Sequence, residues 1–326
     1  MQRREFIWLV GGAAISPLGA SAQPAPKRPL IAWMTGVTKE TSSPYFGSFL
    51  KGMRDLNHIE GRDFNMMYRF SDGYGDRLSI LAEEIVRAKP DIILATAVDA
   101  VVAVRKYTSA IPIVSFALAD AVHLGLVKSI ARPGGNITGI QPYIEGLPAK
   151  QLELALEIVP NATKVGFLTN LQDPKAPPQS QELQTAAEGL KLTVIAADAS
   201  QPEEIEHALE AISTAKANVV VVLQTSMLFS SKDQIAAAAL ARKLPTVFGY
   251  EPHVVVGGLV SYGIDLVQCS YRVSNFVDKI LHGAKPSDLP VEFPTKMLMA
   301  VNLKTARALG ITISPTILSR ADRVIE

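Results

Sequence analysis

The stretch Ala88-Lys89-Pro90-Asp91-Ile92-Ile93-Leu94 joins the end of a predicted helix to a short apolar strand. The second half of the chain repeats this pattern as Ala215-Lys216-Ala217-Asn218-Val219-Val220-Val221. Further along, Ile111-Pro112-Ile113-Val114 has a counterpart in Leu244-Pro245-Thr246-Val247. Apolar strands that alternate with helices are typical of a parallel sheet covered on both faces. The sequence therefore predicts two α/β lobes of like topology.

The same alternation extends outward from this stretch. Leu78, Leu81 and Ile85 recur at steps of three or four residues, which is the spacing of one buried helical face. The pattern predicts strands over residues 30–34, 64–70, 92–95, 113–116 and 137–140, and helices over 45–56, 77–89, 100–107, 150–159 and 267–281.

The order of these elements predicts two doubly wound parallel-sheet lobes joined by a three-strand hinge. We expect lobe 1 to comprise residues 28–142 plus about 265–285, and lobe 2 to comprise residues 143–264 plus about 286–326. Ligands of open α/β sheets bind beyond the carboxyl ends of the strands, here in the cleft between the lobes. A three-strand hinge would let the lobes close on a ligand.

Residues 1–22 have the layout of a secretory signal peptide. Arg3-Arg4 precedes an uncharged stretch, and Ala20-Ser21-Ala22 fits the cleavage pattern, so the mature chain should begin near Gln23. The arginine pair favours a twin-arginine signal, with general secretory export as the alternative. A membrane anchor fits less well, because the apolar run is shorter than the roughly 20 residues that span a bilayer. We expect a soluble periplasmic protein.

Composition excludes several classes of function. The net charge of +1 provides no basic face for nucleic acid. The single Cys269 cannot form a disulfide within the chain. No nucleophile elbow, phosphate-binding loop or dinucleotide fingerprint is present. The histidines never fall at metal-ligand spacing; they are His58, His123, His207, His253 and His282. We expect no enzyme activity, no metal and no cofactor.

Several short motifs follow one another in a specific order. They are Arg3-Arg4-Glu5-Phe6-Ile7, the segment 46–56 with Gly61-Arg62, Tyr68-Arg69-Phe70, Leu124-Gly125-Leu126-Val127, residues 132–139 (RPGGNITG), residues 257–263 (GGLVSYG) and Asn302-Leu303-Lys304-Thr305-Ala306. In this order the chain resembles, over essentially its whole length, the bacterial ABC-transporter substrate-binding proteins related to tryptophan and other amino-acid receptors. The resemblance implies a type I periplasmic-binding-protein fold, a small-molecule ligand and an inner-membrane ABC permease as partner, with a monomer as the default state.

Two departures from the family pattern leave the solute open. Asp120-Ala121 stands where the family usually has Asp-Pro, and Asn170-Leu171-Gln172-Asp173-Pro174 stands where many relatives have N-P-x-N-P. Amino acids with aromatic or branched side chains lead by resemblance, while aromatic acids, purines and other small organic anions remain alternatives.

The strand ends that face the cleft supply the candidate ligand-binding residues. Hydroxyl groups that precede helices suit a carboxylate, for which we expect Thr35, Ser43 and Thr96. Asp120 or Asp265 would pair with an ammonium group. The full candidate set is Thr35, Gly36, Ser43, Tyr45, Thr96, Ala97, Asp120, Asn170, Gln224, Phe229, Tyr250, Glu251, Tyr262 and Asp265, of which Tyr45, Phe229, Tyr250 and Tyr262 would wall the cleft.

The same architecture is compatible with other functions. The closed lobes could instead dock on a chemoreceptor or sensor-kinase ectodomain. An exported enzyme could use Asp120 and Asp265 as acid and base, but no nucleophile or metal cluster supports this. A sugar-responsive transcription regulator is excluded by the export signal and by the lack of a helix-turn-helix.

Overall fold

The computed structural model of the protein describes residues 28–142 and 144–326. The predicted signal sequence over residues 1–22 and its cleavage point lie outside these residues. Among the helices of the described part of the chain, none combines the length and the apolar character that a bilayer crossing requires.

The first sheet has five strands in the order β2-β1-β3-β4-β5, and all neighbours are parallel. Its strands are β1 (Leu30–Thr35), β2 (Asn65–Phe70), β3 (Ile92–Ala95), β4 (Ile113–Ser115) and β5 (Ile137–Gly139), connected by α1 (Lys39–Asp55), α2 (Arg77–Arg87) and α3 (Val98–Arg105). Side chains of β1 alternate between two cores: Ile31 and Trp33 pack on one face, and Ala32 and Met34 on the other.

The second sheet has seven strands in the order β12-β11-β10-β9-β8-β6-β7. Its strands are β6 (Lys164–Thr169), β7 (Thr193–Asp198), β8 (Val219–Val222), β9 (Thr246–Phe248), β10 (Val260–Ile264), β11 (Met297–Asn302) and β12 (Arg323–Ile325). The helices of the second half of the chain are α4 (Leu147–Ile158), α5 (Ala176–Gly189), α6 (Ile205–Thr214), α7 (Ser226–Ser230), α8 (Lys232–Ala241), α9 (Glu251–Val255), α10 (Leu266–Leu281), α11 (Leu303–Leu309) and α12 (Pro315–Arg320). The predicted two-lobe α/β class is confirmed.

One strand pair departs from the predicted parallel arrangement. β11 runs antiparallel to β10, whereas β12 runs parallel to β11. The chain leaves β10 at its carboxyl end, forms α10 against the first lobe, and returns beside the same end. A strand that starts from that edge has to run in the opposite direction.

Helix α10 belongs to the first lobe although it follows the strands of the second. It packs along α1, and the two helices approach closely at Gly52, where a Cβ would lie 2.4 Å from Ser274 Oγ. Phe49 and Met53 of α1 share a core with Val273 and Val277 of α10. Residues from two distant parts of the sequence therefore build one lobe.

The repeat seen in the sequence has a backbone counterpart. Lys89 and Lys216, which occupy matching positions, both follow a helix and adopt positive φ values of 51° and 61°. A left-handed residue at this point ends a helix and turns the chain into the next strand. The two lobes thus use the same turn between helix and buried strand.

Candidate functional site

A small cavity of about 40 Å³ lies between the two lobes, beyond the carboxyl ends of their strands. This volume is smaller than the roughly 300–1,000 Å³ that is typical of small-molecule sites, so the closed lobes leave little empty space between them. The first lobe with α10 contributes Thr35, Val37, Ser42, Tyr45, Thr96, Ala97, Phe116, Ala117 and Leu266; the second contributes Lys175, Thr225, Ser226, Phe229 and Tyr250.

Four aromatic rings form one wall of this cavity and come from both lobes. Tyr45 stacks on Phe116 with ring centroids 5.9 Å apart, and its ring lies 6.0 Å from that of Phe229. Phe229 in turn meets Tyr250 edge to face at 5.4 Å. Burial raises the pKa of both Tyr45 and Tyr250, so the two phenols stay neutral. The wall therefore suits a flat, uncharged group.

The cavity also contains a buried cation. The side chain of Lys175, at the start of α5, is almost wholly buried. Within residues 28–142 and 144–326, its ammonium meets no acceptor at hydrogen-bond distance. Burial alone would lower the pKa of Lys175, but the neighbouring Asp173, Tyr250 and Asp99 outweigh it and raise the pKa. Lys175 is therefore a charged group that faces the cavity.

Two carboxylates lie in the adjoining part of the cleft. Asp173 accepts hydrogen bonds from the backbone N–H groups of Lys175 and Ser226, at 2.9 and 3.1 Å. Asp99 lies in the first turn of α3, facing Ser226 of the other lobe. Burial, reinforced by the charge of Asp173, raises the pKa of Asp99 to about 6, against the opposing influence of Lys175 and Ser226.

The two lobes touch around this site. The Thr38 N–H donates to Ser230 Oγ at 3.3 Å, and Lys232 Nζ donates to Thr41 Oγ1 at 3.3 Å. At the rim, Tyr74 donates its hydroxyl hydrogen to Glu203 at 2.7 Å. A Cβ added at Gly36 would lie 2.8 Å from Ser226 Cβ of the opposite lobe. These contacts hold the lobes in a closed arrangement.

Eight of the candidate residues lie in the inter-lobe cleft. Thr35, Tyr45, Thr96, Ala97, Phe229 and Tyr250 line the aromatic cavity. Gly36 and Asn170 line the adjoining cavity together with Asp99 and Asp173. Most of the residues predicted from the strand-end rule therefore lie together in the cleft.

The three acidic candidates lie elsewhere. Asp120 has a φ of 45° and lines a separate surface cavity beside Gln141 and Glu145. Asp265 is the N-cap of α10 and accepts hydrogen bonds from the backbone N–H groups of Val267 and Gln268. Glu251 pairs with Arg323. The acidic side chains that do enter the cleft include Asp99 and Asp173.

The other three candidates also point away from the aromatic cavity. Ser43 is exposed, because α1 begins at Lys39 and its periodicity turns the neighbouring Ser42 inward, where Ser42 Oγ accepts a hydrogen bond from Trp33 Nε1 at 3.1 Å. Gln224 is buried behind the cavity, and its backbone N–H donates to Gln179. Tyr262 lines a different surface cavity beside Lys150 and Met299.

Sequence reasoning missed the charged residues of the site. Asp99 follows β3 by four residues, but the predicted helix began at residue 100 and left Asp99 in the turn. Lys175 directly follows Asp173-Pro174, the segment in which the chain departs from the family pattern. Both residues follow the carboxyl ends of strands, where charged residues are expected to face a ligand.

The chain is similar to proteins that bind small solutes. The family model described as "ABC transporter substrate binding protein" matches residues 33–325. A tyrosine-binding protein of Clostridioides difficile (strain R20291) is 27% identical over 263 residues, which cover 81% of this chain and 75% of that protein.

Two solved structures share the architecture. A conserved domain protein from Vibrio cholerae has a TM-score of 0.84 and 26% identity, covering 91% of this chain and 100% of that one. An ABC domain in complex with L-Trp from Streptococcus pneumonia has a TM-score of 0.84 and 24% identity, covering 92% and 100%. Because the family model spans nearly the whole of the two-lobed fold that surrounds the cleft, the chain belongs to the family of ABC transporter substrate-binding proteins.

Proposed function

We propose that this protein captures an aromatic amino acid between its lobes in the periplasm and presents it to an inner-membrane ABC permease. The observation that supports this best is the combination, in one cleft, of an aromatic wall with the buried Lys175, whose ammonium meets no hydrogen-bond acceptor among the described residues. The ring of the ligand would stack on Tyr45, Phe229 and Tyr250. The charged end of the ligand would lie towards Lys175 and Asp99.

The carboxylate of an amino acid fits the environment of Lys175. A buried ammonium without a partner is costly, and a ligand carboxylate supplies both the opposite charge and a hydrogen-bond acceptor. The hydroxyls of Thr35, Thr96 and Ser226 lie around the same space and can donate to the second carboxylate oxygen. We therefore place the ligand carboxylate on the side of Lys175.

The ammonium of the ligand fits Asp99. In the ligand-free protein the negative charge of Asp99 is disfavoured, since burial and Asp173 both raise its pKa. A cation beside Asp99 would reverse this effect through a charge-assisted hydrogen bond. Asp99 thus replaces Asp120 and Asp265, which the sequence alone favoured for this role.

Relatives point to the same ligand class. One relative is named a tyrosine-binding protein, and one structure of the same fold holds L-Trp. For this chain, the aromatic wall supports a ring of similar size. The departure at Asn170 to Pro174 lies beside Lys175, so it affects the charged end of the site more than the aromatic end.

Closure of the lobes would convert binding into a signal for the permease. We propose that the hinge comprises three segments, namely residues 140–142 with 144–146, the junction at Asp265 and residues 290–296. The first and third are joined by Gln141 N–H donating to the Glu292 carbonyl at 2.9 Å. A ligand that contacts both lobes binds the closed form better and shifts the population towards it.

Calorimetry of the mature protein would test the ligand. We expect binding of L-tyrosine, L-tryptophan or L-phenylalanine and no binding of sugars. Replacing Lys175 by Met should weaken binding of that amino acid by about 30-fold or more, because a buried charge pair is broken. The same variant should bind the corresponding amine, which lacks the carboxylate, as well as the wild type does.

Lys150→Met is the matched control, since Lys150 is an exposed lysine of the same lobe that pairs with Glu153. It should leave affinity unchanged. The proposed orientation would be ruled out if Lys175→Met lost the same affinity for the amino acid and for the amine. Binding of a sugar alone would also rule it out.

The transport role needs a separate test in cells. Deletion of the gene should abolish uptake of the radiolabelled amino acid, and a plasmid-borne copy should restore it. Normal uptake combined with a lost chemotactic or signalling response would instead favour docking on a chemoreceptor or sensor kinase.

A further inference from the structure

Three metal-ligating side chains converge at the end of the first lobe that is distant from the cleft. His58 follows the end of α1, while Asp278 and His282 lie one turn apart near the end of α10. His58 Nε2 is 2.8 Å from Asp278 Oδ1, and His282 Nδ1 is 3.2 Å from the same oxygen. All three ligand atoms lie within 4.8 Å of one another. About 15 Å of helix α1 separates Tyr45, in the cavity, from the end of α1 beside this group.

The surrounding backbone holds two of the three groups in place. The His58 N–H donates to the Met53 carbonyl at 2.9 Å, and Asn57 before it adopts a φ of 67° that closes the end of α1. Asp278 lies in the last turn of α10. Helix α10 is fixed against α1 by the close contact at Gly52. The side chains of His58 and Asp278 are 19% and 25% exposed.

We propose that His58, Asp278 and His282 form a binding site for Zn²⁺ or a similar divalent transition metal. Two imidazoles and one carboxylate are the ligands such ions prefer, at roughly 2.0–2.2 Å, with water as a fourth ligand. Two residues separated by four positions on a helix lie on one face and can share an ion. Mg²⁺ and Ca²⁺ prefer oxygen ligands and would not compete.

The third ligand is free to adjust. His282 is 69% exposed, and its Nδ1 is now 2.8 Å from the Asp278 carbonyl oxygen. Binding requires this ring to rotate away from the carbonyl and towards the ion. The same exposure leaves room for a water ligand and for exchange of the metal with solution.

Spacing along the sequence does not reveal this site, because His58 comes from a segment 220 residues away from Asp278. The ion would join α1 to α10, the two helices that complete the first lobe. A ligand that binds only the folded state raises the melting temperature.

The test is a titration of the tag-free mature protein, stripped of metal, with Zn²⁺ and with Co²⁺ as a spectroscopic probe. Residues 1–27 contain no histidine or cysteine that would add ligands. We expect one ion per chain, a visible absorption band of Co²⁺ bound to nitrogen, and a Tm higher by roughly 5 °C with Zn²⁺. Mg²⁺ should give no shift.

Three variants assign the ligands. His282→Gln changes an exposed side chain and should fold normally, yet weaken Zn²⁺ binding more than about tenfold. His58→Gln and Asp278→Asn should do the same, and all three should still bind the cleft ligand. His123→Gln alters another exposed histidine of the first lobe and should change nothing. Unchanged Zn²⁺ affinity in His282→Gln and His58→Gln, or no Tm shift in the wild type, overturns the proposal.

Discussion

Asp99 and Lys175 give the cleft its electrostatic character, and they respond to burial in opposite ways. Lys175 keeps its charge because nearby acidic groups outweigh burial, whereas the pKa of Asp99 rises because Asp173 adds to the effect of burial. Ionisation of Asp99 therefore destabilises the ligand-free protein as the pH rises from the unfolded-state pKa of about 3.9 to the folded-state pKa of about 6. An ammonium group of the ligand would offset this cost.

Ligand affinity should accordingly depend on pH through Asp99. The proposed ammonium contact needs ionised Asp99, so affinity should be constant above the pKa of about 6 and fall as the pH drops through it. The decline can reach about tenfold per pH unit, since one proton is taken up. Titration calorimetry across this range measures the effect.

Asp99→Asn is the informative comparison, because it retains the shape of the side chain and removes the charge. It should bind weakly at every pH and show a flat profile. A profile with the same slope as that of the wild type would assign the pH dependence to another group.

Single residues of the site could be predicted only in part. Thr35, Thr96 and Tyr250 followed from the rule that ligands meet strand ends, and the structure places them in the cavity. Ser43 was placed in a loop because the helix was predicted to begin at residue 45, which put the inward-facing serine one position too far along the chain. In fact Thr38 caps α1, whose first turn already includes Thr41. A shift of one residue on a helix turns a side chain by about 100°.

At the scale of elements, the packing of α10 on α1 determines the shape of the first lobe. Gly52 makes this packing possible, since a Cβ there would lie 2.4 Å from Ser274 Oγ and 2.7 Å from the Tyr271 carbonyl oxygen. A backbone atom cannot move aside as a flexible side chain can. The helices would have to separate to accept a larger residue.

Gly52→Ala should therefore destabilise the protein by about 1–3 kcal/mol, as overpacked cores do. Urea denaturation of the ligand-free protein measures this effect. Gly47→Ala on the same helix is the control, because a Cβ there meets nothing within 4 Å. That change should stabilise the protein by about 0.5–1 kcal/mol through helix propensity. Equal stability of Gly52→Ala and the wild type would show that the helices tolerate a wider separation.

Elements were easier to predict than their ends. The strand over residues 92–95 was predicted with the bounds of β3, because an apolar run between Pro90-Asp91 and a polar turn has clear limits. The antiparallel β11 could not be predicted from its own residues. Its direction depends on where the chain re-enters the second lobe, which is a property of the whole topology.

For the molecule as a whole, the contact between Tyr74 and Glu203 links the rims of the two lobes. Arg77 also lies over the Tyr74 ring, with its guanidinium 4.3 Å from the ring centroid. The pair is too exposed to contribute much to overall stability. It nevertheless exists only when the lobes are closed, so it acts on the balance between open and closed forms.

Tyr74→Phe should shift this balance towards the open form and leave folding unaffected. We expect a larger radius of gyration of the ligand-free protein by X-ray scattering and an affinity lower by roughly two- to fivefold. Tyr107→Phe is the control, because the Tyr107 hydroxyl bonds Ser79 within the same lobe. A scattering profile identical in both variants would assign closure to other contacts.

The two-lobe class was predictable because periodicity and the repeat are local signals, while the cross-lobe contacts were not. Thr38 and Ser230 are 192 residues apart, and neither belongs to a recognisable motif. Which hydroxyls meet across the cleft depends on the angle between the lobes.

The late position of α10 has a consequence for biogenesis. Ser270 of α10 donates to the Tyr45 carbonyl, 225 residues earlier in the chain. At ribosomal speeds of about 5–20 residues per second, α1 waits roughly 10–45 s for its partner, with Phe49 and Met53 uncovered. During that interval the first lobe lacks one side of its core, so the lobe cannot complete its folding before α10 has been synthesised. The order of segments thus delays folding of the first lobe until synthesis of the chain is nearly complete.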